Sequence, residues 1–194
     1  ELREAETLGI LDHHDRRVRH VDADFDDGGG DEEWHAAVLE PRHLAVLLGA
    51  AHPAVDERQA CSVAYQGRVA CFDRTTGAPL WARDTSSNSG LAMDGQNVYV
   101  TDDKDAVTAY DKASGRAVWR QDKLARRQVT APLALGAWVA VADGEGYVHV
   151  LSSDDGRFVA RARVDSAVRV APVDIGPGFA VQTAKGSIVA FRLK

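Results

Sequence analysis

The sequence predicts an all-β propeller, with about three and three-quarter blades of four antiparallel strands each filling residues 53–194. Three observations predict it. A sheet-like unit recurs every 38 to 41 residues. Short apolar runs alternate with turn residues at intervals of about ten, as in up-and-down antiparallel strands. A glycine followed four residues later by tryptophan punctuates two of the copies, at Gly77/Trp81 and Gly115/Trp119.

The period is the strongest of the three, because self-similarity at a fixed length is the signature of a repeat architecture. The segment Gly67-Arg-Val-Ala-Cys-Phe-Asp-Arg-Thr-Thr-Gly-Ala-Pro-Leu-Trp81 returns as Asp105-Ala-Val-Thr-Ala-Tyr-Asp-Lys-Ala-Ser-Gly-Arg-Ala-Val-Trp119. It returns again as Gly146-Tyr-Val-His-Val-Leu-Ser-Ser-Asp-Asp-Gly-Arg-Phe-Val-Ala160, and as a half copy from Gly186 to Lys194. Phe72, Tyr110, Leu151 and Phe191 hold the phase, at spacings of 38, 41 and 40.

Four strands fit each complete copy. The first should run Ala54–Asp56, Ala60–Tyr65, Arg68–Asp73 and Pro79–Arg83; the second Gly90–Met93, Asn97–Thr101, Ala106–Asp111 and Ala117–Gln121. The third should run Ala131–Leu135, Trp138–Ala142, Tyr147–Leu151 and Phe158–Arg163. The fourth offers Ala171–Asp174, Phe179–Gln182 and Ser187–Leu193, and no outermost strand. Four strands per unit of this length describe a blade, since a sandwich would not repeat its sequence in step with its sheet. Gly77, Gly115 and Gly156 stand where the chain turns sharply into the outer strand, a place for positive φ. Trp81 and Trp119 should dock on the neighbouring blade, and truncating one should cost about 3 to 5 kcal/mol. The third copy has Ala160 there, a weaker contact.

Cys61 and Cys71 flank the Gln66-Gly67 turn signal. A two-residue loop closing Tyr65 on Arg68 sets Cys61 opposite Phe72 and sends the two thiols to opposite faces. Both therefore read as small apolar strand residues, and a disulfide needs a slip of register.

Composition breaks near Pro53. Residues 1–52 hold six of the seven histidines and no lysine, with an acidic, glycine-rich run from Asp22 to Glu33. This segment is expected to be irregular, poorly ordered or foreign to the propeller. Asp22, Asp24, Asp26 and Glu33 imitate calcium-loop spacing, but Asp27 occupies the hinge place that needs glycine. His13, His14, Asp15, His20 and His35 could gather round a metal, with nothing in the spacing to fix the geometry. Solvated loop is the reading for both. The chain starts at Glu1, without a basic leader or a lipid-attachment cysteine, so its true beginning is expected upstream.

A formal charge of −6 argues against nucleic acid or an anionic membrane as partner. The longest apolar run, Leu44–Ala51, falls far short of the roughly 18 residues of a spanning helix.

The pattern Val/Ala-x-Ala-x-Asp-x-x-(Thr/Ser)-Gly-x-x-x-Trp resembles the repeat of quinoprotein-like propellers. The longer stretches Val63–Asp73, Thr130–Gly136, Asp143–Leu151 and Asp155–Arg161 resemble the C-terminal blades of the BamB family, propeller lipoproteins of the outer-membrane β-barrel assembly machine. That resemblance implies a ring of eight blades on the periplasmic face of the outer membrane of a Gram-negative bacterium. It implies a non-enzymatic scaffold that binds the periplasmic domains of BamA and unfolded outer-membrane proteins, anchored by an N-terminal lipid that this chain does not show. The family's partner-contacting positions do not carry across, since the acidic pair before the first strand is here Leu47-Leu-Gly-Ala-Ala-His52. No partner-binding residue is therefore assigned.

The alternative is a fragment of a quinone-dependent dehydrogenase, which would need adjacent cysteines. Cys61 and Cys71 are not adjacent, and Trp81, Trp119 and Trp138 are accounted for by blade packing. No catalytic, cofactor-binding or metal residue is assigned. His149 alternates with Tyr147 and Leu151 and reads as a packing or surface residue, while Asp102–Asp105 and Ser152–Asp155 read as solvated turns. Open sheet edges at both ends should make the isolated chain associate.

Overall fold

The computed structural model describes residues 53–176 and 178–192. The readings placed on residues 1–52, including the calcium-like loop and the histidine cluster, lie outside the described residues.

Among the described residues, fifteen strands form four antiparallel sheets, each meandering in chain order. The first sheet holds β1 (Ala54–Val55), β2 (Gln59–Val63), β3 (Val69–Asp73) and β4 (Pro79–Arg83). The second holds β5 (Gly90–Met93), β6 (Asn97–Thr101), β7 (Val107–Asp111) and β8 (Ala117–Gln121). The third holds β9 (Leu133–Leu135), β10 (Trp138–Ala142), β11 (Tyr147–Ser152) and β12 (Phe158–Arg163). The fourth holds β13 (Val173–Asp174), β14 (Gly178–Gln182) and β15 (Ile188–Arg192), three strands among the described residues, as expected. Three of the innermost strands, β1, β9 and β13, are shorter than the sequence suggested, while β5 has the expected bounds. Asp56 ends β1 early because its Oδ1 accepts the amides of Arg58 and Gln59 and turns the chain.

The middle strands of the second and third sheets are buried on both faces, which is what stacking blade on blade requires. In β6, Val98 and Val100 point into a cluster with Cys61, Val63, Val69, Cys71 and Trp81 of the first blade. Tyr99, between them, points the other way and packs with Trp119, Val139, Val141 and Leu151. A third cluster joins Ala140, Val148 and Val150 to Val168, Phe179 and Val181. Each core thus takes side chains from two consecutive sheets. Fully burying one Val or Leu stabilises by about 1.5–3 kcal/mol, so these strands carry most of the fold's apolar gain.

The tryptophans dock as expected. The Trp81 indole N–H donates to the Lys112 carbonyl of the next blade at 2.8 Å, and Trp119 donates to the Ser153 carbonyl at 2.7 Å. The turn glycines have a second reason for being glycine. Gly115 and Gly156 take φ of 65° and 71°, and a Cβ at either would fall inside the docked indole of the preceding blade, Trp81 and Trp119 respectively. Where Ala160 replaces the tryptophan, every residue of β12 but Ala162 is exposed.

The cysteine reading is corrected. Cys61 and Cys71 are direct cross-strand partners and are joined in a disulfide. The β2–β3 connection has five residues rather than two, because Val63 pairs with Val69 and residues 64–68 form the loop. That moves the register by one position, which turns both thiols to the same face. Contacts to the next connector hold the loop in this form: the Ser86 hydroxyl accepts the Gln66 amide at 2.8 Å, and the Ala64 carbonyl accepts the Ser87 amide at 3.2 Å. The bridge is buried in the first interblade core beside Trp81.

Candidate functional site at the third blade

The same five-residue connection recurs in every blade, flanked by Val63/Val69, Thr101/Val107, Ala142/Val148 and Gln182/Ile188. Its first residue is aspartate in the second and third blades, and there it organises a polar corner. Oδ1 of Asp102 accepts the amides of Lys104 and Ala106, both at 2.9 Å. Oδ1 of Asp143 likewise accepts those of Glu145 and Tyr147, at 3.0 and 2.9 Å. Oδ2 is left for a side chain, and here the blades diverge.

In the second blade, Arg120 of the outer strand reaches Asp102 Oδ2 at 2.7 Å and touches Thr108 Oγ1 at 3.2 Å. In the first blade the matching positions are Ala64, Ala70 and Ala82, and no such network exists. In the third blade, His149 replaces the threonine and donates from Nε2 to Asp143 Oδ2 at 2.9 Å. Arg127, from the connector between blades, takes the same oxygen through Nε at 2.7 Å and pairs with Glu145 at 2.9 Å. Burial pushes the Asp143 carboxyl up, but hydrogen bonds from His149, the Tyr147 amide and Arg127 outweigh it and bring the carboxyl down to about 2. In turn, the hydrogen bond to Asp143 raises Arg127.

Arg161 is the repeat partner of Arg120, opposite His149 across the β11–β12 pair. With Asp143 occupied by Arg127, Arg161 lies instead over the Tyr147 ring, 5.1 Å from its centre. Arg127 and Arg163 approach the same ring at 5.3 and 5.6 Å. Phe158 meets the His149 ring edge-on at 5.7 Å. Between the connector and β12 lies a cleft of about 260 Å³, lined by Lys123, Leu124, Arg127, His149, Phe158 and Arg161. A wider depression of about 570 Å³ lies over the first two blades, and its lysine, Lys112, is tied to Asp56 and to the Asp94 carbonyl.

His149 is therefore a packing residue, as expected, but one hydrogen-bonded to Asp143 at 2% exposure. Asp102 is in a turn, as expected, but is buried rather than solvated. Among the described residues, no three His, Cys, Asp or Glu side chains are placed to hold a metal ion.

The family model for the outer membrane protein assembly factor BamB matches residues 18–121 and 104–194, so that its match begins well before Pro53. The chain belongs to the BamB family. It is 43% identical over 171 residues to the outer membrane protein assembly factor BamB of Bordetella pertussis, covering 84% of this chain and 44% of that protein. To the Burkholderia pseudomallei protein of the same name it is 45% identical over 156 residues, covering 80% of this chain and 40% of that protein. The crystal structure of BamB from Moraxella catarrhalis superposes with a TM-score of 0.69 at 27% identity, over 73% of this chain and 42% of that one. The chain spans less than half the length of the curated BamB relatives it matches. Those relatives are named as assembly factors, and the propeller architecture expected from the repeat is the architecture of the BamB structure.

Proposed function

We propose that this chain serves as a non-enzymatic scaffold of the outer-membrane β-barrel assembly machine, working on the periplasmic face of the outer membrane of a Gram-negative bacterium. In this reading it binds the periplasmic domains of BamA and receives unfolded outer-membrane proteins, and a lipid upstream of this sequence anchors it. The observation that carries the reading is the continuous match to BamB assembly factors across more than four-fifths of the chain. Sheets stacked through three apolar cores give a rigid support whose loops and outer strands are free to make contacts.

The dehydrogenase alternative gains nothing from the site. Its cysteine pair should be adjacent, whereas Cys61 and Cys71 bridge two strands at a separation of ten. The test is retention of the full chain on immobilised BamA periplasmic domains. Retention above that of an unrelated propeller is the expected result. No retention, together with a bound chromophore and dye-linked alcohol oxidation after addition of the quinone and calcium, overturns the reading.

A further inference from the structure

We propose that the cleft between the 122–128 connector and β12 is a docking site for an extended, acidic polypeptide segment. A carboxylate of the segment pairs with Arg161 and Lys123, and a neighbouring apolar side chain lies against Phe158.

The charge around the cleft is the first argument. The chain as a whole is acidic, with 29 Asp and Glu against 23 Lys and Arg. Yet Lys123 and Arg161 line the cleft, with Arg163 two residues further along β12, and among the described residues none of the three forms an ion pair or donates a side-chain hydrogen bond. Guanidinium groups carry five N–H donors in a fixed fork that suits a carboxylate. The Arg161 guanidinium carbon lies 5.1 Å from the centre of the Tyr147 ring, a contact that leaves that fork unspent.

The second argument is the departure from the repeat. Arg120 shows what this position does when it serves the fold alone: it closes on its own blade's aspartate. In the third blade Arg127 has taken over that structural duty and Arg161 is released to the cleft wall. The substitution of Arg127 is costly to arrange. It sits between two non-glycine residues in left-handed conformation, Arg126 and Gln128, at φ of 68° and 56°. Such strain persists only where the surroundings over-determine it. Here the Arg127 carbonyl accepts the Gly144 amide at 2.8 Å, and Asp105 accepts the amides of Gln128 and Val129 at 3.1 and 2.8 Å. The wall is thus rigid before anything docks.

The third argument is the cleft-lining His149. Its Nε2 is committed to Asp143, while Nδ1 is buried and makes no hydrogen bond among the described residues. A buried nitrogen without a partner is costly. The ring itself lines the cleft and meets Phe158 edge-on at 5.7 Å, which gives a docked apolar side chain an aromatic wall to lie against. The volume agrees with this occupant, since about 260 Å³ is below the usual size of a drug-sized ligand site and suits one or two side chains. Nucleic acid would need a basic stripe, and this is one small cluster on an acidic chain.

The inference does not rest on BamA being the partner, since a chain that failed to bind BamA would still hold such a segment. The test is fluorescence anisotropy of the full chain with a labelled peptide of about ten residues alternating Glu and Val. Arg161→Glu and Lys123→Glu should each weaken binding about tenfold or more. Arg157→Glu, an exposed change on the same blade away from the cleft, should leave it within about twofold. A peptide with Gln for Glu should bind at least about tenfold more weakly, and the His149 ring resonances should shift on titration with the acidic peptide. Equal binding by Arg161→Glu and the native chain, equal binding of the Gln peptide, or preferential binding of RNA or of phosphatidylglycerol vesicles overturns the proposal. Both charge-reversing changes are on exposed or half-exposed positions, and an unchanged urea midpoint verifies that the variants are folded.

Discussion

Gly156→Ala is the sharpest test of how the blades are held in register. Gly156 takes φ of 71°, a conformation that costs an L-residue roughly 1–2 kcal/mol. Gly136 takes φ of 62° with nothing within 4 Å of an added Cβ, so Gly136→Ala should cost that conformational strain and little more. At Gly156 the added methyl would enter the six-membered ring of Trp119. The indole cannot withdraw freely: its N–H is held by the Ser153 carbonyl at 2.7 Å, and it packs on Tyr99 with ring centres 5.9 Å apart. Overpacking of this kind adds about 1–3 kcal/mol, for a total near 2–5 kcal/mol. Urea unfolding followed by tryptophan fluorescence reads the difference. With a slope of about 1–3 kcal/mol/M, Gly156→Ala should lower the midpoint by roughly 1–2 M and Gly136→Ala by roughly half a molar. In a Trp119→Leu background the two glycine substitutions should converge, because the clash has been removed. Equal midpoints for Gly156→Ala and Gly136→Ala in the native background would refute the docking account.

Asp143 is held at about 2 against an ordinary 3.8, so its contribution, on the order of 2 kcal/mol, is fully present above about pH 5 and lost as the pH falls toward 2. Urea midpoints across that range should fall in the native chain, and the fall should shrink in Asp143→Asn, which at neutral pH should cost about 1–3 kcal/mol by weakening the hydrogen bonds from Arg127 Nε and His149 while Arg127 keeps its pair with Glu145. Reducing the Cys61–Cys71 bridge opens a loop of ten residues and should cost about 2.5–3 kcal/mol on chain-entropy grounds; an unchanged midpoint in dithiothreitol would count against the bond. Light scattering of the isolated chain should show association, since among the described residues β15 is paired on one side only, with Ile188 76% exposed; a heat-resistant monomer is the contrary result.

Much of the fold was legible because the repeat is carried by residues whose reasons are local. Gly77, Gly115 and Gly156 mark positive φ, and Phe72, Tyr110 and Leu151 mark the third strand of each blade. The β2–β3 register was misread because Gln66-Gly67 looks like a two-residue turn by local chemistry, whereas Ser86 and Ser87 of the following connector hold the loop open. The repeat itself contained the remedy. Val63 and Val69 are six apart, like Thr101 and Val107 or Ala142 and Val148, and extending the alignment through the loop makes Cys61 and Cys71 the counterparts of the paired Tyr99 and Ala109. The cleft was not legible at all. Arg127 enters from a connector outside the repeated unit, and the distance from Arg127 to Asp143 is set by the stacking of blades, which no periodicity encodes.

Repetition supplies its own control experiment. Residues that serve the blade as a blade recur: the aspartate Oδ1 that caps the loop amides is the same in the second and third copies, and the bulge beside the outer strand falls at Cys71/Phe72, Ala109/Tyr110 and Val150/Leu151. At the corner, the first copy has an exposed Ala64 and half-buried Ala70 and Ala82 and folds without the polar network, so the network is dispensable for the blade. The second copy adds a closed triad of Asp102, Thr108 and Arg120 with its hydrogen bonds satisfied internally. Only the third carries more cations than its aspartate can pair, a histidine with one nitrogen unspent, and a connector held in strained conformation beside them. A fold that needs none of this at one corner gains nothing structural from an unpaired version at another, and the surplus cations Lys123 and Arg161, both exposed, are left for a partner to pair.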